Sequence, residues 1–248
     1  MKISLMTLFP ESFDGFLQGP VLRRAVRNGA LEIDVVDIRD YADGSFRKLD
    51  DNTFGGGVGQ VMRAQPVLNA LASIREEDSY VCAMTPVGIP YTQKTARALS
   101  QKSHLILLCG HYEGIDERVY HAADARISIG DYILTGGEIA ACAVADSVIR
   151  LLPGVLKEAA TQGESFENGL LEYPQYTQPA DLDGDRVPDV LLSGNHEKIR
   201  KWRLEQSLRA TLRYRPDLLE KKVLTKEEEA LLRKIREETP KSPGTETG

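Results

Sequence analysis

Short runs of apolar residues recur along the first two thirds of this chain, and segments with helical spacing separate them. The runs that predict strands are Lys2–Phe9, Leu31–Ile38, Ser79–Met84, Leu105–Leu108 and Ala125–Ile129. The segments that predict helices are Pro20–Asn28, Thr92–Gln101 and Glu138–Leu152. Continuous apolar runs are typical of strands that are buried on both faces. The alternation therefore predicts an α/β fold in which helices cover a mainly parallel sheet.

Glycines follow two of these predicted strands. Gly110 ends the run that begins at Leu105, and residues 130–137, GDYILTGG, separate the next strand from its helix. In open α/β sheets, ligands bind outside the carboxyl ends of the strands. Glycine lets the backbone approach a ligand closely because it carries no Cβ. The sequence therefore predicts a small-molecule pocket bounded by Gly110 and Ile129–Gly137.

A second glycine cluster, in which Gly55, Gly57 and Gly59 are spaced as G-x-G-x-G, resembles the pattern of Rossmann-type methyltransferases. In that fold the pattern follows directly on a buried strand, whereas here it follows the polar residues 47–53. The cluster is thus typical of a surface loop. A nicotinamide-dependent dehydrogenase is excluded as well, because no G-x-G-x-x-G follows a predicted strand.

The overall charge conceals a basic segment near the carboxyl end. The chain has a formal net charge of −6, from 31 Lys and Arg against 37 Asp and Glu. Between His196 and Arg215, however, seven basic residues stand against Glu197 and Glu205, a local excess of +5. Such an excess favours an RNA-binding surface. The alternative interpretation is a solvated helix face.

The three cysteines, Cys82, Cys109 and Cys142, lie in apolar surroundings and form no C-x-x-C pair. We expect them to be small buried residues of a protein in the reducing cytoplasm. The amino terminus is too polar for a signal peptide, and no apolar run approaches the roughly 18 residues that cross a bilayer. The sequence shows no cluster of metal-ligand residues.

Several strings of this sequence resemble the bacterial tRNA (guanine-N1)-methyltransferase family of the SPOUT superfamily. The two strongest are LLCGHYEGIDERV (residues 107–119) and SIGDYILTGGE (128–138), and further matches lie at residues 50–62, 174–179 and 188–221. The resemblance implies S-adenosylmethionine-dependent methylation of N1 of the guanosine immediately 3′ of the anticodon, position 37 of the tRNA. It also implies a deep trefoil knot over about residues 81–152, and a homodimer with a composite active site. Mg²⁺ dependence is implied too, without an identifiable site.

The apolar pattern changes after Pro153, and this change predicts the domain organisation. Residues 1–160 are expected to form the methyltransferase domain, and residues 161–179 an interdomain linker. Residues 180–237 are expected to form a small all-helical tRNA-binding domain, whose main helix is capped by Ser193 or Asn195. The tail, residues 238–248, is expected to be disordered.

The resemblance also assigns site residues. The expected cofactor-binding residues are Met84, Thr85, Pro86, Gly110, Glu113, Ser128, Ile129, Gly130, Asp131, Tyr132, Ile133, Leu134, Gly136 and Gly137. The expected RNA-binding residues in the basic segment are Lys198, Arg200, Lys201 and Arg203.

Methylation at guanine N1 needs a general base, because N1 carries a proton and is a poor nucleophile until that proton leaves. The family usually carries Asp-Ser-Phe where this chain has Glu164-Ser165-Phe166, so Glu164 is the expected base, with Glu158 and Glu167 as alternatives. Arg150 matches the family arginine that stabilises negative charge on O6. Two other functions stay open at this point, a related SPOUT methyltransferase acting elsewhere on RNA and a non-catalytic RNA-binding protein.

Overall fold

The computed structural model describes residues 1–42, 48–157 and 163–238. The chain divides into two compact units, Met1–Lys157 and Glu158–Gly248. Glu158, one of the alternative bases, and residues 239–248 of the predicted disordered tail lie outside the described residues. Among the residues that are described, no helix is both long and apolar enough to cross a membrane.

The first unit is built on a five-stranded sheet in the order β2-β1-β6-β5-β7, and every neighbouring pair is parallel. Its strands are β1 (Lys2–Thr7), β2 (Glu32–Asp37), β5 (Ser79–Pro90), β6 (His104–Cys109) and β7 (Ala125–Ser128), and a separate two-stranded sheet contains β3 (Asp50–Asp51) and β4 (Val61–Met62). The helices are α1 (Asp14–Leu17), α2 (Pro20–Arg27), α3 (Ala64–Ile74), α4 (Gln93–Leu99), α5 (Glu117–Tyr120) and α6 (Glu138–Ile149). The predicted α/β fold with a mainly parallel sheet is confirmed.

Two hydrophobic cores lie on the two faces of this sheet. Along β6, Leu105 and Leu107 belong to one core and Ile106 and Leu108 to the other, because successive side chains of a strand point to opposite faces. All six residues of β6 are buried. Helix α6 supplies the first core and α3 the second. This double burial explains why the run is apolar throughout.

The structure differs from the sequence prediction at three places in this unit. Strand β5 does not end at Met84 but continues to Pro90, with a shift of register between Met84 and Ile89. A Cβ on Gly88 would lie 2.7 Å from the backbone of Arg126, so this glycine permits the close pairing with β7. Helix α3 was not predicted. Cys142 is only half-buried, whereas Cys82 and Cys109 are buried as expected.

The second unit is mainly helical. It contains β8 (Asp181–Leu182), β9 (Asp185–Arg186), α7 (Asp189–Leu192), α8 (His196–Tyr214), α9 (Pro216–Lys221) and α10 (Lys226–Glu238). The short antiparallel hairpin of β8 and β9 contradicts the prediction of an all-helical domain. Asn195 rather than Ser193 caps α8, since its side chain accepts a hydrogen bond from the Lys198 N–H.

The described part of the predicted linker packs within this second unit. Leu170 is buried in the same core as Leu208 and Leu232, and the Leu171 N–H donates to Thr211 Oγ1 at 2.9 Å. Residues 163–172 are therefore tied to α8 by their own apolar and polar contacts. The predicted domain limits at residues 160 and 179 stay predictions, while the compact units divide after Lys157.

Candidate active site

A cleft of about 590 Å³ opens where β6 and β7 end. All but one of the predicted cofactor residues line it, namely Met84, Thr85, Pro86, Gly110, Glu113, Ser128, Ile129, Gly130, Tyr132, Ile133, Leu134, Gly136 and Gly137. Asp131 is exposed and does not line the cleft, which corrects the prediction for this residue. The structure thus brings together three separate segments at the edge predicted for a ligand.

The turn before α6 lies against the end of β6 without any intervening side chain. The Gly137 N–H donates to the Gly110 carbonyl oxygen at 2.8 Å. A Cβ on Gly137 would lie 2.8 Å from both the Cys109 Cα and the Gly110 nitrogen, which is closer than real Cβ atoms approach. Glycine is therefore required at position 137 by close approach rather than by its backbone angles.

A serine hydroxyl shapes the other end of the same loop. Ser128 Oγ donates to the Gly130 carbonyl oxygen at 3.1 Å and lies 3.4 Å from the Gly130 nitrogen. Gly130 has a φ of 159°, and a Cβ there would collide with the Tyr132 ring. The loop is thus folded by local contacts, and its backbone faces the cleft.

The glycine cluster of residues 55–59 lies beside Glu113, which sequence reasoning did not anticipate. The Glu113 N–H donates to the Gln60 carbonyl oxygen at 3.0 Å, and Val61 forms a β-bridge with Tyr112. A Cβ on Gly59, whose φ is +85°, would collide with the Glu113 side chain. The cluster is a loop, as predicted, but it packs against a residue of the cleft.

Sequence reasoning also missed a group of charged and aromatic residues in the cleft wall. Arg126 of β7 donates to Glu117 Oε1 at 2.5 Å, and its guanidinium lies 4.4 Å from the centre of the Tyr120 ring. All three residues line the cleft. No local signal could have found the contacts of Arg126, because its partners belong to the preceding helix and not to its own strand.

The two predicted catalytic residues belong to different units. Arg150 is the half-buried C-cap of α6 in the first unit, and its N–H donates to the Asp146 carbonyl oxygen at 3.1 Å. Glu164 is half-buried in the second unit, in a cleft of about 540 Å³ that Arg200, Arg203 and Lys222 also line. The alternative base Glu167 is half-buried as well but does not line this cleft.

The loop that carries Glu164 is held by backbone hydrogen bonds. The Phe166 N–H donates to the Leu170 carbonyl oxygen at 2.8 Å, and Ser165 Oγ accepts from the Glu172 N–H at 3.0 Å. Phe166 adopts a φ of 77°, in the left-handed region that few residues other than glycine occupy. Arg215 lies over its ring at 5.8 Å. The carboxylate is therefore presented by a defined turn.

The predicted RNA-binding residues are all exposed on α8, but acids neutralise part of their charge. Arg200 bonds to Glu197 and to Glu227 of α10, and both carboxylates raise its pKa. Lys201 lies 3.6 Å from Glu197. Arg203 instead lies over the Tyr173 ring at 4.8 Å. The basic excess is thus smaller than a count along α8 alone suggests.

The part of the chain that the structure describes contains no group of three or more His, Cys, Asp or Glu placed to hold a metal ion.

Burial raises the pKa of the Cys109 thiol well above its usual range, and the charge of Glu138 adds to this effect. Burial, with a smaller contribution from Glu138, raises the pKa of Cys142 to about 11. Both cysteines therefore carry neutral thiols beside the cleft.

Comparison with known proteins assigns this chain to a family. A family model described as tRNA (guanine-1)-methyltransferase TrmD matches residues 1–221. The tRNA (guanine-N(1)-)-methyltransferase of Halalkalibacterium halodurans is 51% identical over 247 residues, covering 97% of this chain and 100% of that protein. The enzyme of the same name from Dictyoglomus turgidum is 49% identical over 239 residues, covering 96% and 98% of the two chains.

A third relative, from Carboxydothermus hydrogenoformans, bears the same name and is 51% identical over 234 residues, covering 94% of this chain and 92% of that protein. These matches extend through both compact units and include every string that carried the resemblance. The chain therefore belongs to the tRNA (guanine-1)-methyltransferase family.

Proposed function

We propose that this protein transfers the methyl group of S-adenosylmethionine to N1 of the guanosine immediately 3′ of the anticodon, position 37 of the tRNA. The observation that carries the proposal is the glycine-lined cleft, in which three segments with the family strings converge. Membership of the family supports the reaction and the tRNA substrate. A non-catalytic RNA-binding protein would have no use for this cleft.

The cleft suits the proposed methyl donor. At Gly137 the loop lies so close to the end of β6 that a Cβ would not fit, so backbone groups form this part of the wall and can bind a flat adenine ring. Its volume of about 590 Å³ lies in the range of small-molecule sites. The Glu113 carboxylate, on the cleft wall, complements a positively charged sulfonium or amino group. S-adenosylmethionine would supply an activated methyl group for in-line displacement.

Proton removal is the step that the chain itself must catalyse. We assign Glu164 as the base that takes the N1 proton, and Arg150 as the cation that stabilises the charge developing on O6. The half-buried position of Glu164, on a turn that its own hydrogen bonds define, supports this assignment. Holding guanine N1 against the methyl carbon supplies much of the remaining rate.

The proposal includes a homodimer whose active site combines residues of both copies. Large apolar side chains beside the cleft support it, because Val87 is 75% exposed, Ile133 79% and Ile139 62%. Exposed apolar groups in such proximity are typical of a surface that a partner covers.

A trefoil knot over about residues 81–152 and a cytoplasmic location complete the proposal. The knot is supported by the contacts of α6, which packs on β6 and β1, two strands that come before β7 in the chain. It is further supported by the bond between Gly137 and Gly110. Mg²⁺ dependence belongs to the same proposal, although the described residues offer no preformed metal site.

The exposed basic residues of α8 are proposed to bind the tRNA backbone. Replacing Lys198 and Arg203 together by glutamate should weaken tRNA binding and reduce its dependence on salt, because fewer counterions are released. The matched control is Lys94→Glu, which reverses an exposed charge on α4. Equal tRNA affinity for the double variant and the control would show that the basic segment is only a solvated helix face.

The decisive experiment is a single-turnover assay of Glu164→Gln, with mass spectrometry to locate the methyl group on the tRNA. Glutamine keeps the volume but cannot take the proton, so the rate should fall by roughly 10²–10⁴-fold while both substrates still bind. Glu164→Asp restores the usual family residue and should retain activity. Glu167→Gln is the matched control on the same loop and should keep nearly the full rate.

Full single-turnover activity in Glu164→Gln would transfer the role of base to Glu167 or Glu158. A methyl group at another nucleotide would instead identify a related activity of the same superfamily. An absence of any methyl transfer by the unaltered protein would refute the proposed function as a whole.

A further inference from the structure

A buried carboxylate lies directly behind the glycine turn of the cleft. Glu138, the first residue of α6, is only 8% exposed, yet it does not line the cleft. It accepts a hydrogen bond of 2.7 Å from Thr7 Oγ1, at the end of β1, and Thr7 is completely buried. Neither residue belongs to the predicted site.

Burial of a carboxylate is unfavourable unless hydrogen bonds or charges compensate for the lost water, so the buried position of Glu138 calls for a reason. The positive end of a helix favours an acid at this position, but an exposed acid would receive the same benefit. Fold stability alone therefore does not require Glu138 to be buried against Thr7. The surroundings of its second oxygen supply the reason.

Glu138 Oε2 lies against Gly136 so closely that a Cβ on this glycine would collide with it. On the same side the His111 ring would lie 2.7 Å from that Cβ, measured to Cδ2. Both groups thus pack against the same side of the turn, while the Gly137 N–H bonds to the end of β6. Movement of either support would shift the backbone that faces the cleft.

Thr7 connects the two supports. Its hydroxyl donates to Glu138, and it accepts the Phe9 N–H at 2.8 Å. The Phe9 ring in turn packs against the His111 ring, with 4.6 Å between their centres. The buried Thr7 hydroxyl therefore donates its proton to the Glu138 carboxylate. Its oxygen accepts the backbone N–H of Phe9, the residue whose ring packs against His111.

We infer that Thr7 and Glu138 are positioning residues that hold the Gly136–Gly137 turn in the shape that binds S-adenosylmethionine. The inference rests on the proposed cofactor site and adds to it two residues that touch neither substrate. Their effect is on cofactor affinity, because the backbone they position faces the cleft. The chemistry at Glu164 is left intact.

The test is calorimetric titration of S-adenosylmethionine into the unaltered protein and into folded variants. Thr7→Val keeps the shape without the hydroxyl, and Glu138→Gln keeps the size without the charge. Each should raise the Kd roughly tenfold, whereas Thr7→Ser, which retains the hydroxyl, should bind within about twofold of the unaltered protein. The KM for the cofactor should rise in parallel, with kcat at saturation nearly unchanged.

Two further variants separate positioning from stability. The double variant should lose no more affinity than the weaker-binding single variant, because Thr7→Val removes and Glu138→Gln weakens the same hydrogen bond. Ser4→Ala removes another buried hydroxyl of β1, which donates to Asp34 at 2.7 Å, and should lower stability without changing the Kd.

Unchanged affinity in folded Thr7→Val or Glu138→Gln overturns the inference. If Thr7→Val does not fold, the affinity of Glu138→Gln alone decides. If neither variant folds, the affinity of Thr7→Ser decides. Loss of S-adenosylmethionine binding in Thr7→Ser, which keeps the hydroxyl, would refute the role of the hydroxyl. Failure of the unaltered protein to bind S-adenosylmethionine would instead refute the proposed function.

Discussion

The two ends of the five-stranded sheet are built in opposite ways. At the carboxyl ends of β6 and β7, glycines bring backbone groups to the wall of an open cleft. At the amino ends of β5 and β6, polar side chains close the sheet with bonds to one another. Because all five strands run in the same direction, their carboxyl ends lie at one edge of the sheet and their amino ends at the opposite edge.

The closed end is a continuous chain of hydrogen bonds around His104, which is only 1% exposed. Ser79 Oγ accepts the Glu76 N–H at 2.7 Å and lies 2.8 Å from His104 Nδ1. Ser4 Oγ donates to Asp34 and lies 3.0 Å from His104 Nε2. The Ser4 proton is thus engaged, so we assign the imidazole proton to Nε2 and let Ser79 donate to Nδ1.

The difference between the two ends of the sheet shows which of them can bind a ligand. Within the described residues, every buried side-chain nitrogen or oxygen has a hydrogen-bond partner. The closed end satisfies its polar groups internally and has none to offer. The open end lines its cleft with glycines, whose backbone atoms a bound molecule can approach closely.

The largest effect should come from adding a side chain to the open end. In Gly137→Val the new Cβ would lie 2.8 Å from the Cys109 Cα and the Gly110 nitrogen, so the turn must move away from β6. We expect S-adenosylmethionine affinity to fall by roughly a hundredfold, or about 2.8 kcal/mol. Isothermal titration of the folded variant measures this loss.

The matched control is Gly15→Val in α1, where a Cβ meets no atom within 4 Å. Gly137→Ala should fall between the two, because it introduces the same first atom without the branches. Equal cofactor affinity in Gly137→Val and Gly15→Val would show that the open end does not depend on close backbone approach.

A smaller effect, on stability instead of affinity, should follow from damage to the closed end. Ser4→Ala leaves Asp34 and the His104 Nε2–H each without one partner, and an unsatisfied buried group costs about 1–3 kcal/mol. Urea unfolding should show this loss in the free energy of unfolding. A loss of cofactor affinity in the same variant would mean that the two ends are not independent.

The smallest effect should be a dependence of stability on pH. Burial, followed by the positive charge of Lys2, lowers the pKa of His104 below its ordinary 6.5, and Glu76, Asp34 and Asp78 oppose this shift only in part. Below pH 6.5 the unfolded chain therefore binds more protons than the folded one, so stability is full above 6.5 and falls as pH drops towards the folded pKa.

One proton limits this slope to about 1.4 kcal/mol per pH unit. His104→Gln cannot titrate, so its unfolding free energy should change less between pH 5 and 7 than that of the unaltered protein. The same slope in both proteins would assign the pH dependence to other groups.

Local patterns predicted the sheet well, because a strand that is buried on both faces has a continuous run of apolar residues. The apolar run in β6 and the alanine-rich α6 are examples, and both were confirmed. Helix α3 was not predicted, although its buried residues Pro66, Val67, Ala70 and Leu71 have a helical spacing. Element boundaries inside β5 depend on pairing with β7, which no local pattern encodes.

The cleft was predicted from glycines and family strings, whereas its supports were not. Thr7 and Glu138 are 131 positions apart, and each is unremarkable in its own segment. The contact of Arg126 with Tyr120 and the pairing of Arg200 with Glu227 likewise join different elements. Such partners follow from the folded topology and leave no periodic signal.

The part of the cleft wall that the glycine turn forms from its backbone also restricts how resistance to an inhibitor can arise. A compound that hydrogen-bonds to the backbone of residues 129–137 contacts atoms that every amino acid shares, so replacement of a side chain leaves its anchor in place. Substitution of Gly137 would remove the anchor, but the new Cβ would press on Gly110 and disturb the natural ligand's own pocket. A substitution that prevents binding of such a compound would therefore also weaken binding of the natural ligand.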